Sequence, residues 1–338
     1  MTFKEIAKVL NEIRARRVLL LTHHNSDPDA IGSAFAFQTL LNKTMPRLCV
    51  EIGVQTGVSY VAKQMFDYIP IKLNTKPEVE KAHVLILLDT NTIQQLDELA
   101  EEVAKSSAPL IVIDHHVVHP EMTKTAKLCV IDDTATSTCE IVYTLFKEAK
   151  IKPDIDSARA LFLGIAFDSR HFALGNSSTF KTVAELVEVG VKPQEALMKL
   201  TLPMCFSERI ARLKACKRAK TEKIGDWIIA LSHVSAYQAS AARALIDLGA
   251  HVAAVAGKKN DTGEIEISMR CTRDFSQRTS IHLGKDIAKP LGQYLQGNYL
   301  QGMGGGHAMA AGVNGKGDID ATLKECLKLL KERLSNQE

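Results

Sequence analysis

The 338-residue chain has no CxxC pair, no apolar run long enough to span a membrane, and no dominant sign of charge. Each absence argues against a class of protein. The seven cysteines, Cys49, Cys129, Cys139, Cys205, Cys216, Cys271 and Cys326, are odd in number and widely spaced. That pattern argues against a zinc ribbon or a disulfide framework and fits a reducing cytoplasm. A membrane helix would need roughly 18 to 20 apolar residues in a row. The N-terminal stretch MTFKEIAKVLNEIRARR is amphipathic, carries charge throughout and lacks the apolar centre of a secretion signal. A formal charge of +3 is too mild a bias to imply a nucleic-acid partner by itself. Internal repeats and low-complexity tracts are also missing. The expectation is a soluble cytoplasmic protein with no membrane partner.

What is present is a chain too long for one ordinary core, with 46% hydrophobic residues. Apolar runs at Val18–Leu21, Leu48–Val54, Val84–Leu88 and Leu110–Ile113 read as strands. Ala30–Leu41, Ser137–Lys150 and Ile155–Ile165 read as helices. This alternation predicts an α/β fold with a mostly parallel sheet flanked by helices over 1–190. Residues 191–224, helical and strongly basic from Arg209 to Lys223, read as a helical linker. Strand runs return at Trp227–Leu231, Val252–Ala256 and Ile265–Met269, and a helix is expected at Ala321–Leu334. They predict a smaller C-terminal α/β domain over 225–338.

Polar clusters fall where strands end, the edge on which open α/β sheets form ligand sites. After Val18–Leu21 comes THHNSDPDAIGS, in which His23, Asp27 and Asp29 form H-x3-D-x-D. An imidazole with two carboxylates suits Mn2+ or Mg2+, although aspartates before a helix also cap it. Gly32 would let a ligand approach the backbone. Asp89 ends a second run in LLDTN, and Asp114, His115 and His116 end a third in VIDHH. Adjacent histidines are expected to point differently, one to a metal and one to substrate, with Asp114 holding an imidazole by its second nitrogen. GIAFDS offers Asp168. GMGGGHAMAAG carries Gly304, Gly305, Gly306 and His307 in a loop suited to an anion, with small residues after it opening a helix. Arg270 would add a phosphate contact.

In this order and spacing the motifs resemble the DHH phosphoesterase superfamily, in the branch whose associated C-terminal domain carries the GGGH signature. That branch holds RecJ-like exonucleases, oligoribonucleases that also cleave 3'-phosphoadenosine 5'-phosphate, and cyclic-di-AMP phosphodiesterases. The resemblance covers about residues 15 to 315. It implies two divalent ions, usually Mn2+, with Mg2+ or Co2+ as alternatives. His23 and Asp27 would bind one ion, and Asp29, His115 and Asp168 the other, with Asp89 bridging. His116 would face the substrate phosphate as a general acid, and Arg270, Gly304, Gly305, Gly306 and His307 would hold the substrate in an inter-domain cleft. The implied reaction is in-line attack of a metal-bridging hydroxide on short RNA or DNA oligonucleotides or small nucleotides. A cyclic-di-AMP or linear dinucleotide phosphodiesterase is the alternative. An inactive replication-complex scaffold is opposed by the presence of every inferred ligand. The oligomeric state, a homodimer included, is left open. The family's first motif usually has proline before its first aspartate. This chain has Ser26 there and Pro28 between the two, with the ligand spacing unchanged.

Overall fold

The computed structural model describes residues 2–335 apart from 56, 118, 202, 259–263 and 300–301. Unit 1 is Met1–Leu202 and unit 2 is Pro203–Glu338. Unit 1 runs α1 (Phe3–Glu12), β1 (Arg17–Thr22), α2 (Pro28–Thr44), β2 (Cys49–Gly53), α3 (Tyr60–Lys63) and β3 (Val84–Leu88). It continues with α4 (Ala100–Lys105), β4 (Leu110–Asp114), α5 (Pro120–Thr125), β5 (Leu128–Ile131), α6 (Thr138–Glu148), α7 (Ile155–Asp168), α8 (Ser177–Val189) and α9 (Pro193–Leu200).

The strands pair in the order β2-β1-β3-β4-β5, all parallel. Alternate side chains enter opposite cores, because successive strand residues face opposite sides. Val18, Leu20, Ile86, Leu88, Ile111 and Ile113 pack with α2, α6 and α7. Leu19, Leu21, Leu85, Leu87, Leu110 and Val112 pack on the other face with Leu99, Val103 and Met122. Burial on both faces explains why these strands read as continuous apolar runs. Each fully buried leucine or isoleucine contributes about 2 kcal/mol. β1 and β3 are neighbours although β2 lies between them in sequence, so the strand order switches there. Ligands bind at such a switch, outside the carboxyl ends of the strands.

Helix α2 is capped by Asp27, whose side chain accepts from the Asp29 and Ala30 amides, and it starts on Pro28. Ala30 to Phe37 are all buried, so this helix lies inside the unit. Gly32 does not face a ligand, as the sequence suggested. A β-carbon there would lie 2.6 Å from the Ala160 carbonyl oxygen of α7. The glycine therefore sets how closely the two helices pack.

Unit 2 runs α10 (Phe206–Arg218), β6 (Lys220–Ile224), β7 (Trp227–His233), α11 (Gln238–Asp247), β8 (Val252–Lys258), β9 (Ile265–Cys271) and α12 (Arg273–Thr279). It ends with α13 (Lys289–Tyr299), β10 (Gly302–Gly306), β11 (Ala310–Gly315) and α14 (Ile319–Ser335). Its mixed sheet has the order β10-β11-β9-β8-β7-β6, with only β7 and β8 parallel. Two expectations change. The helical linker over 191–224 is not a separate piece: α9 belongs to unit 1, α10 to unit 2, and Lys220–Ile224 is an edge strand paired with β7. The glycine tract is edge strand β10, and the small residues after it form β11 instead of opening a helix. A side chain at Gly304 would come within 1.8 Å of the Ala288 carbonyl oxygen, so a helix segment packs directly on bare backbone.

Helix propensity alone would favour alanine at Gly32 by about 1 kcal/mol, whereas overpacking opposes it by roughly 1–3 kcal/mol. Gly32→Ala is therefore expected to lower the urea midpoint with an unchanged slope. A raised midpoint would contradict the close approach of α2 and α7.

Candidate metal centre

Three strands and two helices deliver the polar cluster of unit 1. His23 follows β1 and Asp27 caps α2. Asp29 sits in that helix's first turn, Asp89 follows β3, His115 and His116 follow β4, and Asp168 ends α7. His23, Asp27 and Asp89 offer ligand atoms within 4.8 Å of one another. Asp29, Asp89, His115 and Asp168 do the same, so Asp89 is common to both groups. A third set joins Asp89, Asp114, His115 and His116.

Asp89 is 4% exposed, and its backbone is left-handed at φ 55°, a conformation aspartate tolerates better than most residues. Its Oδ2 lies 3.7 Å from His23 Nε2 and its Oδ1 3.6 Å from His115 Nε2. Thr138 Oγ1 donates to that Oδ1 at 3.0 Å. Burial would raise the Asp89 pKa, but His23, His115 and His116 reverse this and hold it below its ordinary value. Burial opposes protonation of His23, yet Asp89, the His24 carbonyl and Asp27 lift it to about 9. Burial lifts Asp27 to about 6, helped by Asp89 and Asp168.

Asp29 is fully buried, and its carboxylate accepts from the Thr138 amide at 2.7 Å and the Cys139 amide at 2.9 Å. These are free N–H groups at the start of α6, where a helix N-terminus favours negative charge. Burial and the charges of Asp89, Asp168 and Asp27 still push the Asp29 pKa well up. Gly164 makes the arrangement possible, since a β-carbon there would sit 2.8 Å from Asp29 Oδ1 and 2.3 Å from Cys139 Sγ. Thr138 was not anticipated. The Thr136-Ser137-Thr138 run at the start of α6 signals a cap, but nothing local says which carboxylate the first amides of that helix receive.

The histidine pair does not diverge as expected. The rings lie 4.1 Å apart at 52°, and both reach Asp89 Oδ1, His115 by Nε2 and His116 by Nδ1 at 3.7 Å. Their partners differ. His116 donates from Nδ1 to Asp114 Oδ1 at 2.8 Å, and its amide donates to the same oxygen. That bond is the main cause lifting His116 to about 9. His115 Nε2 lies 3.1 Å from Asp168 Oδ2, too poorly aligned for a hydrogen bond, although that close carboxylate still helps raise the ring's pKa against the effect of burial. A buried ring nitrogen without a hydrogen bond, facing three carboxylates, is an arrangement a divalent cation satisfies. The mixed N/O donor set suits Mn2+ or Mg2+.

The expected substrate residues lie in unit 2. Arg270 pairs in register with Ala310, three residues after His307, at the same end of β9 and β11. Gly305 has open space where a side chain would project, whereas Gly304 does not, and Gly306 is left-handed at φ 140°. The basic stretch is partly spent on structure: Arg212 donates to Ser240 and Arg218 to the His233 carbonyl. All seven cysteines are free, and no helix among the described residues is long and apolar enough to cross a membrane.

Comparison with known proteins agrees with this geometry. The model of the DHH family, N-terminal domain, matches residues 17–165. The uncharacterized protein MJ0988 of Methanocaldococcus jannaschii is 32% identical over 96% of both chains. The bifunctional oligoribonuclease and PAP phosphatase NrnA of Bacillus subtilis is 26% identical over 54% of this chain and 56% of its own length. Relatives include cyclic-di-AMP phosphodiesterases and manganese-dependent inorganic pyrophosphatases, matched over 58% of their own lengths or less. The crystal structure of an exopolyphosphatase-related protein from Bacteroides fragilis has a TM-score of 0.62 at 19% identity, covering 99% of this chain and 95% of that one, a likeness of fold. The relatives with a stated activity are enzymes that cleave bonds to phosphate. The chain belongs to the DHH family.

Mn2+ is expected to raise the melting temperature of the wild type by mass action on the folded state. Asp89→Ala should keep the fold and lose that rise. An equal rise in the variant would remove Asp89 from the centre. The His24 side chain is exposed and, among the described residues, hydrogen-bonds to the Gln95 carbonyl, while the His24 group that meets His23 is its backbone carbonyl, so His24→Ala should preserve the Mn2+ effect.

Proposed function

We propose that this chain hydrolyses phosphodiester bonds in short oligonucleotides, releasing mononucleotides, with small nucleotides such as 3'-phosphoadenosine 5'-phosphate as further substrates. The observation that carries the reading is one buried carboxylate, Asp89, shared by two ligand groups beside a histidine whose Nδ1 is already held. His23 and Asp27 would hold one divalent ion, Asp29, His115 and Asp168 the other, and Asp89 both. When bound, such a pair supplies Lewis-acid charge and lowers the pKa of water at phosphorus. Asp27 can serve two roles because Oδ1 caps α2 while Oδ2 faces His23.

His116 acts as the general acid in this reading. Asp114 accepts from Nδ1, which leaves Nε2 for the leaving oxygen, and a pKa of about 9 keeps the ring protonated near neutrality. Arg270, Gly304, Gly305, Gly306 and His307 are proposed to hold the rest of the substrate. The cyclic-di-AMP phosphodiesterase relatives favour a second reading with the same centre and a different substrate fit.

A panel of short RNA, cyclic-di-AMP and its linear product, run with one Mn2+-loaded preparation, separates these readings. Mononucleotide release from RNA is expected, and intact RNA would overturn the first reading. The Asp114 carboxylate raises the His116 pKa, so the protonated ring is present at low pH and lost as pH rises. Asp114→Asn removes its main support, so the fall in kcat with pH should begin at least about one unit lower. A pH–rate profile checks this.

A further inference from the structure

Three consecutive residues just past Asp168 are left-handed without being glycine: Arg170 at φ 52°, His171 at φ 55° and Phe172 at φ 68°. Such backbone is unfavourable for residues with a β-carbon and persists where the surroundings enforce it, often at functional sites. Here the bracing is explicit. Ser169 Oγ accepts from the Phe172 amide at 3.0 Å, the Ala166 carbonyl from the His171 amide at 2.6 Å, and the Ser169 carbonyl from the Leu174 amide at 2.9 Å. Phe172 is compensated by packing, because its ring meets Phe162 edge-on at 5.5 Å. Arg170 has no such compensation. Its side chain is exposed, and among the described residues it makes no hydrogen bond or ion pair. Glycine would take the same backbone without strain, and exposed Arg14 and Lys150 share this conformation, so the backbone alone does not single out Arg170.

Its place does. The Cα atoms of Arg170 and Asp168 are at most about 7 Å apart, within reach of one extended side chain. The carboxylates of Asp27, Asp29, Asp89 and Asp168 would just offset two divalent ions. A second phosphate of the substrate would then depend on cationic side chains around the centre. A guanidinium supplies such a charge, with two parallel donors matched to a phosphate. We propose that Arg170 binds a phosphate of the substrate other than the one cleaved, the terminal phosphate of a short oligonucleotide. The inference rests on the phosphodiester reading above.

The test compares pApA with ApA, which lacks the terminal phosphate, in the Mn2+-loaded wild type, Arg170→Gly and Arg170→Lys. Glycine keeps the turn unstrained and removes the charge. The expected result is a KM for pApA about tenfold higher in Arg170→Gly, with kcat unchanged and ApA altered less than about twofold, and partial recovery in Arg170→Lys. Calorimetric binding of analogues with CH2 in place of the scissile oxygen should show the same tenfold difference without turnover. Equal effects on both dinucleotides, or none on pApA, would overturn the assignment. Wild-type protein that cleaves neither dinucleotide would overturn the phosphodiester reading, while the analogue binding still decides the role of Arg170.

Discussion

Asp27, Asp29, Asp89 and Asp168 repel one another, and the architecture of unit 1 can be read as the means of holding them together. At about 5 Å and an effective dielectric near 20, each pair of carboxylates costs about 3 kcal/mol. Three devices oppose that repulsion. His23 and His115 stand between the carboxylates. The first amides of α6 bind both oxygens of Asp29. Thr138 donates to Asp89. A divalent cation meets the same electrostatic demand more completely, which links the packing to the chemistry.

The tight packing of helices follows from that arrangement. Asp29 can meet the start of α6 only if α2, α6 and α7 approach closely, and Gly32 and Gly164 allow it. The loop after β1 is set by a smaller network. Thr22 and Ser26 share a hydroxyl contact of 2.8 Å, and Ser26 donates to the His23 carbonyl at 2.7 Å. Ser26 is therefore a structural part of this loop, which fits a ligand spacing that does not depend on proline at that position.

Much of unit 1 was legible because its strands are buried on both faces and end in charged residues. Apolar runs and the aspartates after them depend on local chemistry, and in the fold these aspartates lie together at the sheet edge. Unit 2 was less legible. Glycines at 302–306 look like an anion loop because sequence shows only missing side chains. The reason they are missing, a helix segment lying against the strand, is a tertiary contact. The basic stretch looked helical throughout, yet Lys220–Ile224 is a strand because β7 offers an edge for it to pair with. Thr138 and Gly164 escaped notice for a similar reason, since their partners lie more than twenty residues away in sequence.

The sequence by itself determined which side chains are candidates: His23, Asp27, Asp29, Asp89, His115, His116 and Asp168 are of types that can bind a metal or move a proton, and their positions at element ends follow from hydrophobic patterning. Tertiary structure decided how they divide the work. It placed Asp89 in both ligand groups, engaged His116 with Asp114, left His115 Nε2 facing carboxylates without a hydrogen bond, and set a strained arginine beside Asp168. Those assignments depend on distances of a few ångströms between separate elements, and such distances arise only once strands, helices and glycine contacts have packed.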